Sequence, residues 1–226
     1  MSQSSQCRFV LRYFDIQGLC ETLRLLLTAS GADWTEEHPE WPKEKPYQPL
    51  GHLPVLVVSG ADGKCKLVLS ETLVIERYIA REYHLLPISH LSAARHEQLR
   101  GQLHDVWSTH MEYMHSAGER SAELVAKFEQ DATFLVREHV STLRLNGNNG
   151  HYFGNTLSYV DLAAYAFFKF FCKPGPRSLE SKIGLLDYTR IPEIGKLMAT
   201  VEASSSLEPY FAEEKRNGPR LATRFK

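Results

Sequence analysis

Leu53-Pro54-Val55, followed further along by Ser70-Glu71-Thr72 at the head of an apolar, helix-periodic run, are residues whose types and spacing could do chemistry. A proline at the start of a strand removes a ladder donor and leaves the neighbouring backbone available to another chain. The first N–H groups of a helix have no partner within it, and the positive end of the dipole favours an anion. Together these features can hold a peptide backbone and a carboxylate, which is a site for a small acidic peptide. Each also has a plain reading: Pro54 as a strand-edge proline, and Ser70 or Thr72 as a helix cap without a ligand. Trp41 and Lys45, in a Pro-rich segment without periodicity, offer an indole donor and a flexible cation. In isolation they read as a packed aromatic and a solvated charge. Tyr13 closes the first candidate strand. A phenol O–H aimed at a thiol stabilises the thiolate more than the thiol, and a fall of ~2 pKa units is worth about 2.7 kcal/mol. Alone, such a tyrosine is as readily half buried in a core.

These residues need a scaffold. The chain has 226 residues, 43% of them hydrophobic, enough for two modest domains or one large one. Its 26 basic and 27 acidic residues give a formal charge of −1. No basic stripe of the kind a phosphate backbone requires is present, so small molecules or proteins are the expected partners, not nucleic acid. The start of the chain, 1–7, is polar, and no stretch of 18 apolar residues occurs, so neither a signal segment nor a membrane span is expected. A cytoplasmic location is the simplest expectation. Cys7, Cys20, Cys65 and Cys172 lie far apart without C-x-x-C spacing, which predicts reduced thiols and no metal site.

Residues 8–83 alternate strand and helix signals. Residues 8–13 read as a strand, 19–30 as a helix stopping at Gly31, and 34–37 as a short strand. Residues 55–58 and 67–70 flank Gly60-Ala61-Asp62-Gly63 as a hairpin, and 71–83 form a second helix. The order β-α-β-loop-β-β-α resembles a thioredoxin-like unit. A linker over 84–91 leads into helix-only periodicity. Helices are expected over 96–116 and 121–145, a turn over 146–150, and a buried helix over 158–171 opened by Ser158 with Asp161 as a capping-box variant.

Several ordered elements now carry a resemblance: Tyr13-Phe14-Asp15-Ile16-Gln17-Gly18 before a helix, Trp41-Pro42-x-x-Lys45, Pro49-Leu50-Gly51-His52-Leu53-Pro54, Glu71-Thr72-x-x-Ile75-x-x-Tyr78-Ile79, and Ser158-x-x-Asp161. Together they resemble a cytosolic glutathione S-transferase, most nearly of the sigma and pi classes, over most of the chain. The resemblance implies the GST fold, an α/β thioredoxin-like N-terminal domain over 1–84 and an all-α helical domain over 92–226 carrying much of the second-substrate site. It implies glutathione as co-substrate, no metal, and a homodimer with a detoxification role. It further implies a cis bond at Leu53–Pro54, with the Leu53 main chain pairing with the cysteinyl backbone. The γ-glutamyl end would meet the Thr72 hydroxyl and amide and the Glu71 side chain, and the glycyl carboxylate would meet Trp41 and Lys45. His52 stands where the family often has glutamine or lysine. Tyr13 would activate the sulfur, and Asp105 corresponds to the acidic residue that reaches glutathione in the partner subunit.

The resemblance also sets departures and alternatives. Leu19 replaces an arginine common in those classes, and Gln17 stands where cysteine-type relatives place a nucleophile. Cys20 reads as packed against the sheet. Phe14, Ile16, Met111 and His115 are candidates for the pocket of an apolar electrophile, and each reads equally as core. A solvated helix charge is the alternative for Asp105. Beside transfer to small apolar electrophiles stand a glutathione-dependent isomerase of the prostaglandin D synthase type and a non-catalytic binding or structural protein on the same fold. The basic tail over 213–226 reads as a solvated extension.

Overall fold

The computed structural model describes residues 7–172, 179 and 184–218. Contacts divide the chain into two units, one running to Leu86 and resuming at Ser205, the other spanning Pro87–Ser204. The first unit contains β1 (Arg8–Arg12), α1 (Glu21–Ala29), β2 (Asp33–Glu37), β3 (Val55–Ser59), β4 (Cys65–Ser70) and α2 (Thr72–Glu82). The strands lie in the order β2-β1-β3-β4. β1 runs parallel to β2 and antiparallel to β3, and the β3–β4 hairpin turns over residues 60–64. Phe9 and Leu11 are fully buried between more open arginines, so β1 shows the period of two that a half-buried strand requires. Leu23, Leu25, Leu26 and Leu27 of α1 are fully buried with Ile75 and Ile79 of α2.

The second unit contains α3 (His90–Met114), α4 (Gly118–Leu145), α5 (Tyr159–Cys172) and α6 (Pro192–Glu202). α3 begins at His90, not near residue 96, because the Ser89 side chain accepts the Ser92 N–H and caps the helix, so the expected linker ends inside it. α5 is buried on nearly every face. Its cap is the Asp161 carboxylate, which accepts the Ser158 N–H at 2.9 Å and hydroxyl at 2.7 Å, and the Tyr152 N–H at 2.9 Å. Among the described residues no helix is long and apolar enough to cross a membrane.

Three histidines are buried in this unit, His96, His110 and His139, and burial lowers the pKa of each. His139 is fully buried, with Nδ1 2.6 Å from the Tyr152 hydroxyl. His110 sits among Trp107, Phe128, Phe170 and Phe171. Burial pushes His139 down to about 3 and His110 down to about 4. Unfolding returns each ring to its ordinary 6.5, so below that pH the unfolded chain binds more protons and stability falls with pH. By about pH 5, 1.5 units below that value, His139 alone removes about 2 kcal/mol. Urea midpoints measured from pH 7 to pH 5 should fall, and less steeply in His139→Phe; a flat profile would contradict the assignment.

The chain then returns to the first unit. α7 (Glu208–Asn217) packs on α1, with Leu207 and Tyr210 buried. Residues 205–218, which the expected helical domain over 92–226 includes, group by their contacts with the sheet-bearing unit, because their apolar side chains close over α1. The extension expected from Glu213 is also revised, since residues 213–217 are the last turns of α7. Arg220, Arg224 and Lys226 lie outside the described residues.

Candidate functional site

The sheet register places three of the expected site residues on one row. Arg12 pairs with Val55, and Val55 pairs with Ser70. Tyr13, Pro54 and Glu71 each stand one residue beyond that rung, at the same end of three adjacent strands. Neighbouring strands are about 4.8 Å apart, so Tyr13 and Glu71 flank Pro54 across roughly 10 Å of sheet end. That span matches a short peptide laid across the strands.

Tyr13 is fixed on both sides. Its N–H donates to Glu37 O at 3.1 Å, and His38 Nδ1 donates to its carbonyl at 3.0 Å. Its ring is nearly buried at 6% exposure, and its hydroxyl oxygen accepts the Leu19 N–H at 3.2 Å. Leu19, which lacks the expected arginine side chain, thus contributes through its backbone. Gly18 makes the approach possible: its φ is +46°, and a Cβ there would sit 2.6 Å from the Tyr13 hydroxyl. Burial raises the phenol to about 12, with Cys20 adding to it and the Leu19 amide and Arg24 opposing it. At neutral pH the group is therefore a hydrogen-bond donor and not a phenolate base. Its accepting side is engaged by Leu19, which leaves the O–H to point elsewhere.

The loop that supplies Leu19 is clamped by Arg24, a residue that sequence reasoning missed. Arg24 has no exposed side-chain surface. It donates to Ile16 O at 2.8 Å, Gln17 O at 3.2 Å and Phe14 O at 3.2 Å. It pairs with Glu36 at 2.5 Å and Glu21 at 2.9 Å, and lies 5.9 Å from the Tyr13 ring centroid. Burial alone would lower its pKa; the Glu36 hydrogen bond, with Cys20, Glu21 and Glu36 nearby, overrides this and raises it. A signal existed in the sequence, since a charge inside Leu23-Arg24-Leu25-Leu26-Leu27 must find partners if that run is buried. Cys20 is fully buried, and burial pushes its thiol well above its ordinary value, which makes it a poor nucleophile.

Around this row lie the other expected contacts of the first unit. Leu53–Pro54 and Trp41–Pro42 are cis. The β3 ladder starts at Val55, so Leu53 stands outside it. Glu71 has φ 72° and ψ 114°, a sparsely populated conformation for a residue with a Cβ, costing about 1–3 kcal/mol. Glu71 O accepts the Ile75 N–H at 3.0 Å, so the N–H groups of residues 72–74 have no partner within α2. Thr72, at 6% exposure, is the buried first residue of that helix. Lys45 Nζ lies 5.9 Å from the Trp41 ring, and Phe14 bridges Tyr13 and Trp41 with ring centroids 5.4 and 5.5 Å away. Ile16 is half buried and His52 exposed just before Leu53.

Asp105, Met111 and His115 belong to the second unit. Asp105 is exposed on α3, and its carbonyl accepts the Thr109 hydroxyl at 3.2 Å. Met111 is 38% exposed, and His115 caps the C-terminus of α3 in the open. Trp107, one of the apolar positions whose spacing marks α3 in the sequence, packs against Phe170 with ring centroids 4.4 Å apart. Among the described residues no group of three or more His, Cys, Asp or Glu is placed to hold a metal ion.

The chain is 38% identical over 97 residues to the glutathione S-transferase class-mu 28 kDa isozyme of Schistosoma mansoni, an alignment covering 42% of this chain and 46% of that protein. The chain thus spans about half the length of the curated relatives it matches first. A Fasciola hepatica sigma-class glutathione S-transferase shares the fold with a TM-score of 0.72 at 22% identity, covering 92% of this chain and 97% of that one. The prostaglandin synthase D of Nilaparvata lugens superposes with a TM-score of 0.72 at 19% identity, covering 91% and 98%. Residues 9–81 match the model of the glutathione S-transferase N-terminal domain, and residues 104–214 match that of the C-terminal domain. With both halves matched in order along most of its length, the chain belongs to the glutathione S-transferase family.

Proposed function

We propose that the protein is a glutathione transferase in which the glutathione thiolate attacks a small apolar electrophile and the Tyr13 hydroxyl stabilises the sulfur. The observation that carries this reading is the row formed by Tyr13, Pro54 and Glu71 at one end of the sheet. In it, the Leu53 backbone holds the cysteinyl residue of glutathione. The free N–H groups of α2, with Thr72, receive the γ-glutamyl carboxylate, and Glu71 faces the ammonium. Trp41 and Lys45 take the glycyl carboxylate, with His52 as a weaker polar neighbour. Tyr13, protonated at working pH, donates to the thiolate, a role its raised pKa supports.

The same reading gives Asp105 to glutathione bound by a partner subunit, and Phe14, Ile16, Met111 and His115 to the electrophile. It has the protein work as a cytoplasmic homodimer in detoxification. Tyr47 and Leu50, 81% and 69% exposed, give the first unit an apolar surface that a second copy would cover. Titrating glutathione into the protein while following thiolate absorbance tests the core of the proposal. Saturable binding with most of the bound thiol ionised at pH 7 is expected; binding without ionisation removes Tyr13 from the mechanism, and no binding at millimolar glutathione removes the site. A thioether product marks transfer, whereas glutathione recovered unconsumed marks an isomerase.

A further inference from the structure

The geometry points to Tyr210, on the helix near the end of the chain, as a positioning residue for Tyr13, acting through Glu21, Arg24 and the loop over 14–19. The inference rests on the proposed role of Tyr13 as the sulfur's hydrogen-bond donor. Every link lies within the first unit. The Tyr210 hydroxyl donates to Glu21 Oε1, across 189 positions of sequence. Glu21 Oε2 accepts from Arg24 Nη1 at 2.9 Å, and the same nitrogen donates to Ile16 O and Gln17 O. Arg24 Nη2 reaches Phe14 O. Three carbonyls of the loop are therefore held by one guanidinium, whose own orientation is set by Glu36 on one side and Glu21 on the other. At the far end of that loop, the Leu19 N–H donates to the Tyr13 hydroxyl.

The physical argument concerns which partners Glu21 keeps. Glu21 is 4% exposed and Tyr210 6%, so water cannot readily replace a lost hydrogen bond. Without the Tyr210 hydroxyl, one carboxylate oxygen is left short of a donor in a buried place. Glu21 then has reason to rotate, and Arg24 loses the fixed angle at which it reaches the loop. A looser loop lengthens the Leu19–Tyr13 hydrogen bond and lets water reach the phenol. Tyr210 touches no reacting atom in this scheme; it determines how still the residues that do are held.

Tyr210→Phe in the full-length chain tests this, because it deletes one oxygen and keeps the buried ring. Conjugation kcat should fall about three- to tenfold with the glutathione KM within about twofold, and the pH profile of kcat/KM should move up by roughly half a unit. A second readout does not require glutathione: spectroscopic titration of the Tyr13 phenol in the ligand-free protein, assigned by subtracting the same titration in a Tyr13→Phe background. That titration should move down towards the ordinary value of about 10 in Tyr210→Phe. Glu21→Gln should produce the same two shifts, and the double variant should be no worse than the more affected single one. A lower melting temperature with an unchanged phenol titration and pH profile would make Tyr210 merely structural and overturn the inference. If the parent protein shows no conjugation but the phenol titration still responds to Tyr210→Phe, the positioning stands and the transferase reading fails.

Discussion

Replacing Tyr13 by phenylalanine is expected to slow conjugation at pH 7 by roughly tenfold to thirtyfold while glutathione affinity stays within about twofold. The size follows from ionisation. A bound thiol with a pKa near ~6.5 is about three-quarters thiolate at pH 7, and one at ~8.5 is only about 3% thiolate, a ratio near twenty-five. The lower bound allows for the greater intrinsic nucleophilicity of a more basic sulfur. The phenol donates across the working range because burial holds it up to about 12. Peptide affinity survives because the other contacts come from Leu53, Thr72, Trp41 and Lys45. Rates measured against pH should converge as pH rises past about 8.5, where the variant's thiol ionises unaided. Equal turnover by parent and variant at neutral pH would take Tyr13 out of the chemistry.

Arg24→Ala should cost about 3–5 kcal/mol of stability, the range for removing one partner of a buried ion pair. Glu21 and Glu36 have side-chain exposures of only 5% and 10%, so both carboxylates would lose their counter-charge where water is scarce. Three loop carbonyls would lose a donor at the same time. Lysine should rescue little, since a point charge cannot span two carboxylates and three carbonyls as a planar guanidinium does. A triple variant, Arg24→Met with Glu21→Gln and Glu36→Gln, should recover part of the loss by removing the stranded charges. Chemical denaturation reads all three; a change below about 1 kcal/mol in Arg24→Ala would show that the cluster is far more hydrated than its burial implies.

What the sequence disclosed, and what it hid, follows from how far apart the interacting groups lie. Strand and helix signals are local, so β1, β2, the β3–β4 hairpin and α2 were legible from period and turn residues. Asp161 was legible because a capping box spans three positions. The Arg24 cluster was not, because Glu36 comes from β2 and Tyr210, the partner of Glu21, from the far end of the chain. The row of Tyr13, Pro54 and Glu71 depends on register across three strands, which no single segment encodes. Leu19 shows the limit of side-chain pattern matching: the expected cation is missing, yet the backbone N–H at that position serves the phenol. The start of α3 is hard to place from sequence because Leu91 in its first turn is exposed and does not join the apolar face, so only the Ser89 cap marks it. The α7 helix is hidden for a similar reason, half of its residues being charged and Tyr210 alone buried.

The return of α7 to the first unit bears on biosynthesis. A ribosome releases the sheet and its first two helices long before it releases Tyr210, so the emerging N-terminal portion waits, with a buried carboxylate short of its donor, until translation is nearly finished. Chaperones meeting the nascent polypeptide would encounter that unfinished surface, and a premature stop codon upstream of residue 205 would leave it permanently uncovered.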